Sequence, residues 1–178
     1  VREVAVVAPH QSHRVLVTTG PEGTRGVGRA IAALVPAATT GSSDNRGLLI
    51  QLSGPLGAGK TVLVQGLAEG LGVMTPVKSP TFVLEHRHMG RRALHHFDLY
   101  RLRPGHDLDE LGLADLLSGP AVVAIEWPDR MTDPPGDTTL AVAIDWPDGD
   151  AADSDRRRIR IEGPAALVDR LDLPGTTA

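Results

Sequence analysis

The run Gly54-Pro55-Leu56-Gly57-Ala58-Gly59-Lys60-Thr61 follows the spacing G-x-x-x-x-G-K-[ST], the pattern of a loop that cradles phosphates. Its glycines let the backbone curl close to a polyanion with no side chain in the way. Successive backbone N–H groups then point inward, joined by the positive end of the helix that follows. Lys60 is set to reach the β and γ phosphates as a compact charge, and Thr61 to offer its hydroxyl to Mg²⁺. Lys60 is one of only two lysines in a chain furnished with arginine, whose rigid fork substitutes poorly for an ammonium in this loop.

A phosphate loop alone only binds. Hydrolysis also needs a carboxylate near Mg²⁺ and a group that positions water. Glu126 follows the apolar run Ala121-Val122-Val123-Ala124-Ile125, and Asp98 follows His95-His96-Phe97, so each ends a strand and the two compete for the metal-side place. Ser79 and Thr81 flank Pro80 in the segment where switch-type nucleotide hydrolases meet the γ-phosphate and its cation; an ordinary Ser-Pro turn is the plainer alternative. Trp127 either flanks a nucleotide or lines a partner surface. His86, His88, His95 and His96 lack a zinc spacing and the chain has no cysteine, so a structural zinc site is not expected. Asp107, Asp109 and Glu110 read as the solvated start of a helix. Arg156 to Arg158 read as the solvated start of a strand, with phosphate or RNA contact as the rival reading.

The elements that must hold these groups follow from periodicity. Leu48 to Ser53 reads as a buried strand and Thr61 to Leu71 as a helix, with Leu63, Leu67 and Leu71 on one face and Gly72 as its stop. Upstream, Val15 to Thr18 reads as a strand and Thr24 to Val35 as a helix capped by Thr24. Residues 36–47 are mostly small and polar and read as a flexible surface loop. Phe82 to His86 and Arg92 to Phe97 read as neighbouring strands turning at Met89-Gly90, and Asp109 to Leu117 as a short helix. Ala121 to Ile125 has the continuous apolar character of a central parallel strand buried on both faces. Thr139 to Ile144 and Arg158 to Ile161 alternate as strands, separated by an acidic loop over Asp145 to Asp155. Strands interleaved with helices around a phosphate loop make an α/β protein, a three-layer P-loop NTPase fold with a mostly parallel central sheet. Its ligand belongs outside the carboxyl ends of the parallel strands.

With 178 residues the chain suffices for one well-buried unit, so residues 1–178 are expected to form a single P-loop ATPase domain. A net charge of −4 argues against a strong electrostatic footprint for DNA or RNA. No apolar run approaches the roughly 20 residues that span a bilayer, and no secretory pattern is visible. The lack of cysteine fits a reducing cytosol, so a cytoplasmic protein with no membrane partner is expected.

Four motifs then combine. Leu56-Gly57-Ala58-Gly59-Lys60-Thr61, Ser79-Pro80-Thr81-Phe82, His96-Phe97-Asp98-Leu99-Tyr100-Arg101 and Ile125-Glu126-Trp127-Pro128 resemble, in order and spacing, the TsaE family of bacterial ATPases in tRNA threonylcarbamoyladenosine biosynthesis. Thr24, Gly28 and Ala32 of the first helix and the late Arg156-Arg157 pair extend the resemblance over most of the chain, from Gly20 to Glu162. A phosphate loop by itself is common to many functions; the four motifs together are specific.

The resemblance implies an ATPase that uses ATP and Mg²⁺ and works mostly when docked on the TsaD–TsaB pair. TsaD would transfer the threonylcarbamoyl group to adenosine 37 of tRNAs that read codons beginning with A. This chain would support multiple turnovers of that complex and meet tRNA only through it. The nucleotide would be bound by Gly54, Pro55, Leu56, Gly57, Ala58, Gly59, Lys60, Thr61 and Val62, with Ser79 and Trp127 also at the site and Thr24 near the adenine end. Thr61 and Glu126 would hold Mg²⁺, and Asp98 would be a second acid near metal or water. Lys60, Asp98, Glu126 and Thr81 would carry the catalysis, Ser79 and Thr81 forming a switch-like segment. The family usually has Asp where this chain has Pro55, and often a second Thr where it has Val62; Pro55 lies in the variable part of the loop, so binding is expected to survive. Of the rival readings, a small-molecule kinase would need an arginine-bearing lid, for which Arg101 to His106 is short, and a GTPase would need an Asn-Lys-x-Asp element that is absent. A nucleotide-dependent scaffold that does not hydrolyse is the main non-enzyme alternative.

Overall fold

The computed structural model describes residues 10–37, 47–80, 83–103, 112–131, 139–147 and 155–174. Among them the chain runs β1 (Gln11–Thr19), α1 (Gly20–Ala33), β2 (Leu48–Ser53), α2 (Lys60–Gly70), β3 (Glu85–Met89), β4 (Ala93–Asp98), α3 (Leu113–Ser118), β5 (Val122–Glu126), β6 (Thr139–Asp145), β7 (Arg156–Pro164) and α4 (Ala165–Val168). A 3-10 helix, Pro128–Arg130, follows β5. The strands form one sheet in the order β1-β7-β6-β2-β5-β4-β3. β6, β2, β5 and β4 run parallel, while β7, β1 and β3 are antiparallel to their neighbours.

The apolar runs account for the middle of the sheet. Successive strand residues face opposite ways, so Leu48, Ile50, Leu52, Val122 and Ala124 pack under α1 and α2. Leu49, Val123 and Ile125 pack on the other face with Phe97 and with Leu113 of α3. Every residue of β5 is buried, which is why its sequence shows no polar alternation. The expected three-layer α/β arrangement with a parallel core is therefore present, its second helical layer supplied, among the described residues, by α3 and the 3-10 helix.

α1 and α2 approach each other through glycine. A Cβ added at Gly28 would lie 2.2 Å from Leu63 O, and one at Gly66 would lie 2.0 Å from Arg25 O. Arg29 bridges Glu22 and Glu69 along the exposed edge of this pair, but such surface ion pairs contribute little. Close backbone contact is the larger effect. Gly66→Ala, worth about 1 kcal/mol in favour of an isolated helix, is expected to destabilise this fold by about 1–3 kcal/mol, because the atom it strikes is backbone. The urea midpoint at unchanged m-value measures this; a midpoint equal to or above that of the parent chain would refute the contact.

Several boundaries differ from the sequence reading. α1 begins at Gly20, not at Thr24. Gly20 turns out of β1 with φ +68, and Pro21 stands in the first turn, where its missing N–H is no loss. Thr24 therefore caps nothing: it is buried inside the helix, its Oγ1 3.3 Å from that of Thr18. β1 and β7 are longer than alternation suggested, because they pair with each other from Gln11 opposite Pro164 to Thr19 opposite Arg156. β3 begins only at Glu85, after Leu84 takes φ +69 and interrupts the extended run. α3 begins at Leu113. Residues 38–46 of the expected surface loop, Phe82, and Asp107, Asp109 and Glu110 lie outside the described residues.

Candidate functional site

The parallel strands end together. β2 hands over to the loop at Gly54, and both Leu52 and Asp98 stand in register with Glu126. The loop and the two competing acids are thereby brought to one carboxyl edge of the sheet, where an open α/β sheet places its ligand.

Gly54, Gly57 and Gly59 take φ of +137, +79 and +107, a region that L side chains rarely adopt. At Gly54 space is short as well: a Cβ would lie 2.2 Å from Ile144 O. α2 begins at Lys60, directly after the last of these turns. Lys60 is 4% exposed. Its Nζ donates to Gly54 O at 2.7 Å and to Pro55 O at 2.9 Å, and stands 4.0 Å from the centre of the Trp127 ring. Burial lowers its pKa below the ordinary lysine value, while the charges of Glu126, Asp98 and Asp129 pull it back up.

The two acids have different partners. Thr61 Oγ1 donates to Glu126 Oε1 at 2.8 Å, and His96 Nε2 lies 2.9 Å from the same oxygen. Asp98 Oδ2 accepts from Ser79 Oγ at 2.5 Å, and Oδ1 accepts from the Tyr100 N–H at 3.0 Å. Glu126 is thus joined to the loop threonine and Asp98 to the Ser79 segment, a distinction that sequence position alone left open. Trp127 sits at φ +63, an uncommon and strained value for a bulky residue. Its N–H donates to Leu52 O, and its indole packs between Lys60 and the Tyr100 ring, 5.0 Å from the latter.

Beside the loop lies a cavity of about 110 Å³. The start of α1 lines it with Gly20, Pro21 and Thr24, the loop and α2 with Gly57 to Gly59 and Val62, and the start of β7 with Asp155 and Arg157. Thr24 and Val62 accordingly share one space with the phosphate loop. Thr81 lies outside the described residues. Leu56 is exposed.

Two residues take a more definite part in this site than their sequence context indicates. Arg157 belongs to a run whose sequence reads as solvated, with phosphate or RNA contact as the rival; its Nε donates to Ala58 O at 3.0 Å and its guanidinium lies 5.3 Å from the Trp146 ring centre. The signal was period two: Arg157 shares a face of β7 with the buried Ile159, whereas Arg156 and Arg158 are exposed. His96 opens the motif His96 to Arg101 and belongs to a histidine group without zinc spacing, and neither pattern names its partner. It is fully buried against Glu126, and the signal was its spacing of two from Asp98 on one strand. Among the described residues, no group of three or more His, Cys, Asp or Glu is arranged to hold a metal ion by itself.

A nucleoside triphosphate with Mg²⁺ fits this chemistry. Hydroxyl and carboxylate oxygens from Thr61, Glu126 and Asp98 are hard donors suited to Mg²⁺, which takes few protein ligands when phosphates supply the rest. The positive-φ glycines leave no side chain between a polyphosphate and the loop backbone. Among the described residues, no helix is long and apolar enough to cross a membrane.

The family model for threonylcarbamoyl adenosine biosynthesis protein TsaE matches residues 18–161. The tRNA threonylcarbamoyladenosine biosynthesis protein TsaE of Streptomyces coelicolor is 40% identical over 136 residues, covering 74% of this chain and 85% of that protein. The protein of the same description from a Nostoc species is 48% identical over 96 residues, covering 51% of this chain and 59% of its own length. The match thus spans less than two thirds of that cyanobacterial relative. The crystal structure of Bacillus subtilis YdiB superposes with a TM-score of 0.64 at 25% identity, covering 92% of this chain and 94% of that one.

Proposed function

This chain belongs to the TsaE family, and from that premise we propose that it is a Mg²⁺-dependent ATPase of tRNA threonylcarbamoyladenosine biosynthesis, working in the cytoplasm. The observation that carries the reading is the Thr61–Glu126 hydrogen bond, which joins the hydroxyl of a phosphate loop to an acid at the end of a neighbouring parallel strand. A carboxylate beside the loop threonine is what hydrolysis at a Mg²⁺-bound phosphate requires in addition to the loop.

Mg²⁺, when bound, neutralises charge on the β and γ phosphates. Everything else is positioning by the chain itself. The loop from Gly54 to Lys60 and the start of α2 bind phosphate oxygens, Lys60 bringing the positive charge. Thr61 and Glu126 would hold the cation. Asp98 fixes Ser79 at the sheet edge, where a segment that senses the γ-phosphate must be anchored. Thr24, Val62 and Arg157 line the space for the nucleoside end, and the Trp127 indole shields Lys60 from water.

The partner is the TsaD–TsaB pair, and tRNA is met through it. Docking completes the site by setting Ser79 against the γ-phosphate and excluding water. Addition of matching TsaD–TsaB and tRNA is expected to raise ATP turnover roughly 10-fold or more, together with repeated modification of adenosine 37. Equal rates with and without partners would reject partner activation. Binding without turnover in the complete complex would make the protein a nucleotide-dependent scaffold instead.

A further inference from the structure

We propose that His96 is a positioning residue for Glu126, holding its carboxylate beside Thr61 through a hydrogen bond from Nε2; the role rests on the ATPase reading above. The strand register sets up the contact. His96 and Asp98 lie two apart on β4, on one face, and Asp98 is the register partner of Glu126 on β5. His96 Nε2 is 2.9 Å from Glu126 Oε1, with the two side chains 0% and 4% exposed.

Among the described residues, both hydrogen-bond donors to the Glu126 carboxyl, Thr61 Oγ1 and His96 Nε2, meet the single oxygen Oε1. A carboxylate only accepts, so Nε2 carries the hydrogen. His96 Nδ1 is buried and has no hydrogen-bond partner among the described residues. An orphaned buried polar atom disfavours folding, so a side chain placed here for packing alone would be better apolar. What the imidazole provides that a leucine would not is a rigid donor at Nε2. With two donors on Oε1, the carboxylate is held beside the loop threonine. Groups that orient a metal-binding carboxylate typically change metal affinity or activity 10- to 100-fold when lost.

Asparagine and glutamine separate this role from packing. The amide nitrogen of His96→Gln reaches about as far as Nε2, whereas that of His96→Asn reaches only as far as Nδ1 and cannot meet Oε1. Affinity for a non-hydrolysable ATP analogue is measured by calorimetry with and without Mg²⁺, alongside ATP turnover in the TsaD–TsaB complex and thermal melting. His96→Asn is expected to lose roughly 10-fold or more of the affinity gained from Mg²⁺, and a similar factor in turnover, with Mg²⁺-free affinity unchanged. His96→Gln is expected to restore both to within about 3-fold of the parent chain. Should the Asn variant not fold, His96→Leu serves as the donor-free comparison. Donor-free and Gln variants that both match the parent, or that both lose Mg²⁺-free affinity, would overturn the positioning role while leaving the ATPase reading intact. A parent chain whose analogue binding gains nothing from Mg²⁺ would overturn both.

Discussion

Lys60→Ala is expected to weaken ATP binding by roughly 30- to 900-fold, the equivalent of about 2–4 kcal/mol, in a chain that still folds. The loss follows from removing a buried ammonium from a loop whose other groups are neutral backbone donors. Retention of the fold follows from two opposing effects at the same atom. Truncation takes donors from Gly54 O and Pro55 O. It also lifts a burial penalty, because desolvation holds the Lys60 pKa below its ordinary value in the folded chain. The sign of the pH dependence is then fixed. Between the folded and unfolded values the unfolded chain binds more protons, so the contribution of Lys60 to stability rises as pH climbs towards the ordinary lysine value, and below both values it is unfavourable. The parent chain should therefore gain thermal stability relative to Lys60→Ala on moving from neutral to alkaline pH. Calorimetry with ATP and Mg²⁺ measures the affinity, and melts across that pH range measure the linkage. Unchanged affinity in a folded Lys60→Ala chain would sink the role given to Lys60.

How much of this was legible beforehand depends on whether the cause was local. β2 and α2 follow from an apolar run, a glycine-rich loop and leucines at helical spacing, all within one stretch of chain, and both lie where that stretch puts them. β5 was equally plain, since a strand covered on both faces has nothing polar to hide. β1 and β7 were read short because their outer residues are polar and become strand only by pairing with each other. The start of α1 was misplaced because Thr24 has the chemistry of a cap and the position of a core residue, against Thr18. The partners of His96 and Arg157 were not legible for a related reason. Each acts on a partner distant in sequence, Glu126 and Ala58 respectively, and spacing reports a face but not what lies opposite it. The rivalry between Glu126 and Asp98 had the same origin: both end strands, and only the third dimension shows that one touches Thr61 and the other Ser79.

That difference makes the two acids separable by amide substitution. Glu126→Gln is expected to reduce ATP hydrolysis in the assembled complex roughly 10²- to 10³-fold, by analogy with the loss of a fixed group that stabilises transition-state charge, while nucleotide binding through the loop persists. Both recorded donors to Glu126, from Thr61 and His96, converge on Oε1. A glutamine turned with its carbonyl at that oxygen keeps both bonds and removes only the charge proposed to hold the cation. Asp98→Asn has no such escape. Asp98 accepts from Ser79 on one oxygen and from the Tyr100 N–H on the other, so an amide must set its NH₂ against one of those donors. Asp98→Asn should therefore disturb the Ser79 segment as well as hydrolysis and lower the thermal midpoint, whereas Glu126→Gln should leave the midpoint near that of the parent chain. Turnover, Mg²⁺-dependent nucleotide affinity and melting of the two variants, compared side by side, decide the matter. Parental turnover in Glu126→Gln would remove Glu126 from the cation site, and a Glu126→Gln chain that lost stability as Asp98→Asn does would show that its carboxylate is held for structure instead.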